Sequence, residues 1–231
     1  MFLFTRIKLL MVIGGGVLAW FGFQELLLNS GSSSEAVVVD LAKLESGEPL
    51  GDNHVKFGEH LALYPECIYS YSTSSEYEAE TPSTKVDYCY YPVISKSHPS
   101  HDDISAFRSK FGELSEVSLA EYPSLEPFAL LVKTRRFRTV GDLPFDFATE
   151  PHLQGMVVNQ VTSLANDERE LLKESFPSMD FEKVVILEDG RAPSALKSYG
   201  MTFGGVLLTL VGIASFFIGR GSSESTIPLQ S

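Results

Sequence analysis

Few cations, almost no cysteine and no catalytic signature mark this 231-residue chain. It holds 18 lysines and arginines against 30 aspartates and glutamates, a net charge of −12. That balance argues against a nucleic-acid partner, because phosphate affinity comes from clustered Lys and Arg. It also sets the protein against an anionic lipid surface. Two cysteines, Cys67 and Cys89, permit at most one internal disulfide. There is no G-x-S-x-G elbow and no glycine-rich phosphate loop. Neither cysteine has a basic neighbour in sequence closer than Lys85, four residues before Cys89. No reaction is named by these residues, and no cofactor is expected.

Charge is missing from two further stretches, one at each end. Leu9 to Phe23 carries none, and Leu9–Leu28 reaches the roughly 20 residues of a membrane-spanning helix if Gln24 and Glu25 sit at the far interface. A basic start (Arg6, Lys8) and a short apolar core also fit a secretory signal peptide. Asn29–Glu35 shows no small-residue cleavage site, which favours an uncleaved anchor. The second run, Tyr199 to Gly219, is uncharged up to Arg220 and rich in glycine, as membrane helices tolerate. Small residues recur at four-residue spacing (Gly15 with Ala19, Gly200 with Gly204, Ser215 with Gly219), which lets helices approach closely. The expected layout is a tail over 1–8, a span over 9–28, a folded domain over 29–198, a span over 199–219 and a tail over 220–231. Two crossings put both tails on one side, and the cations flanking the spans make that side cytoplasmic. The central domain is then periplasmic or extracellular.

That domain reads as one α+β unit with more sheet than helix, a curled sheet or partly open barrel flanked by two transmembrane helices. Ala36–Val39 is a β-branched run, and Asp40 is placed to cap a short helix ended by Gly47. Asp52–Leu63 alternates as a strand with a bend at Gly58. Cys67–Thr73 and Lys85–Ile94 are strands around a polar Ser74–Thr84 loop. Ile104, Phe107, Phe111 and Leu114 fall at helical spacing, with Asp102 or Asp103 placed to cap. Pro123 and Pro127 bracket a break before a long strand candidate, Phe128–Val140. Gln154–Val161, Asp167–Ser175 and Lys183–Glu188 form a strand–helix–strand unit closed by an Asp189-Gly190 turn.

Three clusters could carry function. Seven of nine tyrosines lie within residues 64–91, Tyr77 among them, and alternation puts Tyr69 with Tyr71 and Tyr88 with Tyr90 on one face of their strands. Such residues either dock a partner or ligand or pack across a hairpin. Lys133, Arg135, Arg136 and Arg138 suit a partner's acidic patch or a headgroup, or a solvated strand edge that deters aggregation. His98, His101, Asp102 and Asp103 offer metal-ligand chemistry in one loop, although the aspartates also serve as helix caps. A hairpin centred near residues 78–79 brings Cys67 within two residues of facing Cys89. The pair is a disulfide in an oxidising compartment, or two small apolar strand residues.

The layout resembles membrane proteins with a GIDE-type domain between two spans, through V-V-V-D-L-A-K-L at 37–44, H-V-K-F-G-E-H at 54–60 and L-P-F-D-F at 143–147. The ubiquitin-ligase members of that family carry a zinc-binding RING after the second span. Here the segment after Arg220 has no Cys or His, so ligase activity is not implied. The expectation is a two-span protein whose domain binds a membrane or extracytoplasmic protein as an accessory or scaffolding subunit. The alternative is a membrane-tethered enzyme, such as a metal-dependent hydrolase built on the His98–Asp103 loop.

Overall fold

The computed structural model describes residues 2–71, 80–111, 127–160, 164 and 166–218. Tyr77, Leu114, Pro123, Gly219 and Arg220, singled out above, lie outside them. The chain divides into two units: the terminal helices, and the domain Ser32–Pro193.

Helix α1 runs Phe2–Ser30. At about 1.5 Å per residue it is about 44 Å long, more than the ~30 Å of a bilayer's hydrocarbon. It packs antiparallel against α5, described below, at glycines that leave no room for a side chain. A Cβ on Gly15 would lie 2.7 Å from the Gly205 carbonyl oxygen, and one on Gly22 would lie 2.4 Å from the Thr202 amide nitrogen. Lys8 at one end of the pair donates to the Ser215 carbonyl, near the negative end of the α5 dipole. At the other end Lys197 approaches Glu25 at 3.9 Å, and Asn29 Nδ2 donates to Ser198 Oγ at 3.0 Å. The outward faces are apolar: Phe4, Leu10, Trp20, Phe203 and Phe217 are all more than 60% exposed. Only 11% of each apolar window is buried, unlike the central helix of a water-soluble domain. Both helices are long and apolar enough to cross a membrane.

In the domain, strand β1 (Val37–Val39) leads into α2 (Leu41–Glu45), whose N-cap Asp40 accepts from the Ala42 amide at 3.0 Å. Gly47, at φ +90°, turns the chain out of this helix. Then follow β2 (His54–Phe57), β3 (His60–Leu63), a 3-10 turn at Tyr64–Glu66, β4 (Ile68–Tyr71) and β5 (Val86–Ile94). Helix α3 (Ser100–Phe111), β6 (Leu130–Thr134), β7 (Phe147–Glu150) and β8 (Leu153–Gln160) come next. Helix α4 (Asn166–Ser175), β9 (Val185–Asp189) and α5 (Ala195–Ile218) complete the order.

All nine strands form one sheet, ordered β1-β2-β8-β9-β6-β5-β3-β7, with β4 also on β5. It curls into a half-barrel. The β1–β2 and β6–β9 pairs are parallel, and the other pairs are antiparallel. Alternation along β5 and β6 feeds two cores. Tyr90, Ile94 and Leu131 pack with Ile104 of α3 and Leu172 of α4 on one face. Cys89, Tyr91, Val93, Leu130 and Val132 pack with Leu41 and Leu44 of α2 on the other. Over residues 89–94 of β5 and 130–132 of β6 every position is apolar and buried, because neither face meets water there.

Three expectations change. The strand expected over Phe128–Val140 ends at Thr134, whose hydroxyl donates to Asp189 at 2.9 Å and accepts from the Arg136 amide at 3.2 Å. This side-chain bond to the backbone competes with the ladder, so Arg135 and Arg136 leave the sheet; pairing beside β5 resumes where the Arg138 carbonyl accepts from the Val86 amide at 3.0 Å and Thr139 bridges Lys85. The helix expected from Ile104 starts at Ser100, which puts Asp102 and Asp103 inside its first turn rather than at the cap. The strand expected over Asp52–Leu63 divides at Gly58: β2 pairs with β8, while β3 pairs with β5 and β7.

The close glycines generate a test. Gly205→Leu should lower the melting temperature of the detergent-purified chain, at an overpacking cost of about 1–3 kcal/mol. At its neighbour Gly204 a Cβ would meet nothing within 4 Å, so leucine should be accepted there without loss. Circular dichroism melts of the two variants separate them.

Candidate functional site

Pairing of Tyr69 with Cys89 and of Ile68 with Tyr90 places the two tyrosine pairs on opposite faces of the sheet. Tyr69 and Tyr71 have ring centroids 6.1 Å apart; Tyr88 and Tyr90 meet edge to face at 5.6 Å. Tyr90 is buried and Tyr71 exposed. The Tyr69 hydroxyl donates to Glu80, and burial together with that carboxylate pushes its pKa up to about 12. The four rings therefore form no common docking face.

Lys133 turns inward. Its ammonium lies 4.2 Å from the Tyr88 ring centroid and 5.2 Å from that of Tyr90, and pairs with Glu168 of α4 at 3.0 Å. Both side chains of the ion pair are largely covered. Cation–π attraction and the ion pair thus bind α4 to the sheet. Burial, then the charge of Glu168, raises the pKa of the Tyr90 phenol. Arg136 stacks on Phe137 at 4.8 Å and Tyr64 at 5.3 Å, and donates to Glu150 Oε1 at 3.3 Å. The same carboxylate oxygen accepts from the Tyr64 hydroxyl at 2.9 Å, so this arginine ties the edge strand β7 to the 3-10 turn after β3. Arg135 and Arg138 are exposed.

His98 is buried, and both ring nitrogens have partners. Nε2 donates to the Pro127 carbonyl at 2.9 Å, and Nδ1 accepts from the Ser100 amide at 3.2 Å. It caps the start of α3. His101 lies on that helix, with Nδ1 3.6 Å from a carboxylate oxygen of fully exposed Asp102. Among the described residues, no group of three or more His, Cys, Asp or Glu side chains is placed to hold a metal ion.

Two features were not read from the sequence. His60, on β3, is buried with Nδ1 at 2.9 Å from the Gly58 carbonyl, and burial lowers its pKa below the usual 6.5. The other is an open groove of about 1450 Å³. It runs between α2 with the loop through Leu50 on one side and residues 178–185 on the other, past His98–Ser100 and Pro127–Ala129. Leu44, Phe128, Val157 and Val184 give it an apolar floor. Its described lining carries four carboxylates (Glu45, Glu48, Asp180, Glu182) against one cation, Lys183, which pairs with Asp180 at 2.8 Å. Glu45 is held by the Ser95 amide at 2.7 Å, which fixes α2 at the end of β5. These segments are far apart in sequence and share no motif, so only the folded chain reveals them as one site.

Lys133→Met should destabilise the domain by about 3 kcal/mol, because it leaves Glu168 covered and unpaired. Arg135→Glu should cost under about 0.5 kcal/mol. Chemical denaturation of the two variants checks the contrast. For His60, neutral folded and unfolded chains are matched above pH 6.5. Below it the unfolded chain binds a proton that the folded one resists, so stability falls with pH from 6.5 toward the lowered folded value. His60→Gln should flatten that part of the melting-temperature profile.

No family model, no curated protein and no solved structure matches the chain; its function is read from its own side chains.

Proposed function

We propose that this is a two-span membrane protein whose folded domain docks a segment of a protein partner, serving as an accessory or scaffolding subunit. The two apolar helices supply the anchor. Both termini then lie on one side, which Arg6 and Lys8 mark as cytoplasmic, with Arg220 beyond the second helix. The domain works on the periplasmic or extracellular side.

The observation that carries this reading is the groove. It combines concavity, an apolar floor and an acidic rim, the combination that receives an apolar anchor flanked by cations. Its partner segment is therefore basic with one or two large apolar side chains. Members of the tyrosine and arginine clusters are held within the fold instead: Lys133 by Glu168 and the Tyr88 and Tyr90 rings, and Arg136 by Glu150 and the Tyr64 and Phe137 rings. Hydrolysis through the His98 loop has no assembled ligand set behind it among the described residues.

Glu48 and Glu182 are exposed on the rim, so reversing them spares the core. Glu48→Lys with Glu182→Lys should reduce the partner recovered from native membranes in mild detergent by roughly tenfold, with melting temperature unchanged. Arg135→Glu with Arg138→Glu should leave recovery intact. Full retention by the rim variant would remove the groove from the reading. Recovery of the wild-type chain alone, after crosslinking in the membrane, would remove the accessory role itself.

A further inference from the structure

The antiparallel register that sets Tyr69 opposite Cys89 places Cys67 two residues along, on the same face of the sheet. Cys89 is fully buried in the core beneath α2, and Cys67 packs against that core, partly exposed. Both thiols are free in the structure, and both belong to the same packed core. Cys67 stands at the end of the 3-10 turn, with its amide bonded to the Tyr64 carbonyl and just ahead of the first ladder residue, Ile68. Its backbone is therefore free of strand pairing and can close on Cys89 without breaking the sheet. A diagonal pair across two strands otherwise stands farther apart than a disulfide prefers.

We propose that Cys67 and Cys89 are a built disulfide site, closing to a covalent bond that fastens the 3-10 turn and β4 to the central strand β5. The reaction is a two-electron thiol–disulfide exchange. With glutathione disulfide as oxidant, the Cys67 thiolate attacks one of its sulfurs and expels a glutathione thiolate. The Cys89 thiolate then attacks the Cys67 sulfur of the mixed disulfide and expels the second glutathione. The new bond joins the two cysteine sulfurs, and both cysteine protons end on the two glutathione thiols.

The neighbouring Cys89 thiol, with burial next, raises the Cys67 thiol pKa. Only the thiolate attacks, so exchange is slow at neutral pH and gains speed in alkaline buffer. Cys67, as the more exposed thiol, takes the first glutathione, and Cys89 waits within reach to resolve it. Once closed, the bond has no third cysteine in the chain to reopen it.

The test uses the full chain in detergent. The reduced protein is incubated with glutathione disulfide in alkaline buffer, quenched with an alkylating agent, digested without reductant and mapped by mass spectrometry. The expected result is a linked peptide pair joining Cys67 to Cys89 with the loss of two hydrogens, and alkylatable thiols falling from two per chain to none. Cys89→Ser should then stop at the glutathione adduct on Cys67. A wild-type protein that keeps a stable glutathione adduct on Cys67, or keeps both thiols alkylatable after the adduct forms in Cys89→Ser, overturns the proposal.

Discussion

Burial of β5 and β6 on both faces is the constraint on which the domain depends. A sheet strand with water on neither side needs cover twice, and this chain supplies it with short pieces. Helices α3 and α4 bring Ile104 and Leu172 to one face. The curl of the sheet and the five-residue α2 bring Leu41, Leu44, Val55 and Phe57 to the other. A helix as short as α2 has little stability of its own. The Asp40 cap, the Gly47 turn and the bonds that Glu45 accepts from the Ser95 amide and hydroxyl hold it where its two leucines are needed. The groove follows from the same arrangement: α2 covers the curl only in part, and the space beside it, up to residues 178–185, stays open.

Cations hold the joints between these pieces. Lys133 joins β6, the β5 tyrosines and α4, while Arg136 joins the edge strand β7 to the 3-10 turn after β3. In both cases the charge lies over aromatic faces and ends on a carboxylate of another element, so removal of the cation costs a stack and an ion pair together. Arginine and lysine are scarce here, and structure consumes two of the most conspicuous.

Much of the secondary structure was legible in the chain, for local reasons. Asp40 and Gly47 bound α2 as their chemistry dictates, Asp189-Gly190 ends β9 in a turn, and the two apolar runs became the two long helices. What was illegible rests on contacts remote in sequence. At the end of β6 the Thr134 hydroxyl accepts from the Arg136 amide while it donates to Asp189, a partner remote in sequence. The opposite facing of the tyrosine pairs depends on a register that composition does not contain. His98 looked like a ligand because its partners, the Pro127 carbonyl and the Ser100 amide, are backbone groups without a sequence signature. The groove drew on five separated segments, none unusual by itself.

The distribution of charge connects these observations to the proposed partner. Folding pairs Lys133 with Glu168, Arg136 with Glu150, Arg191 with Glu188 and Lys96 with Glu59. Each pair withdraws one cation and one acid, so the net excess of twelve negative charges is left on fewer, mostly exposed carboxylates. Around the apolar hollow Glu45, Glu48, Asp180 and Glu182 outnumber the cations they meet, Lys183 at Asp180 and Lys43 at Glu48, so the local potential favours a basic visitor and the floor an apolar one. The groove thus brings together the two requirements of a docking site, and the proposed visitor, a basic segment with an apolar anchor, meets both.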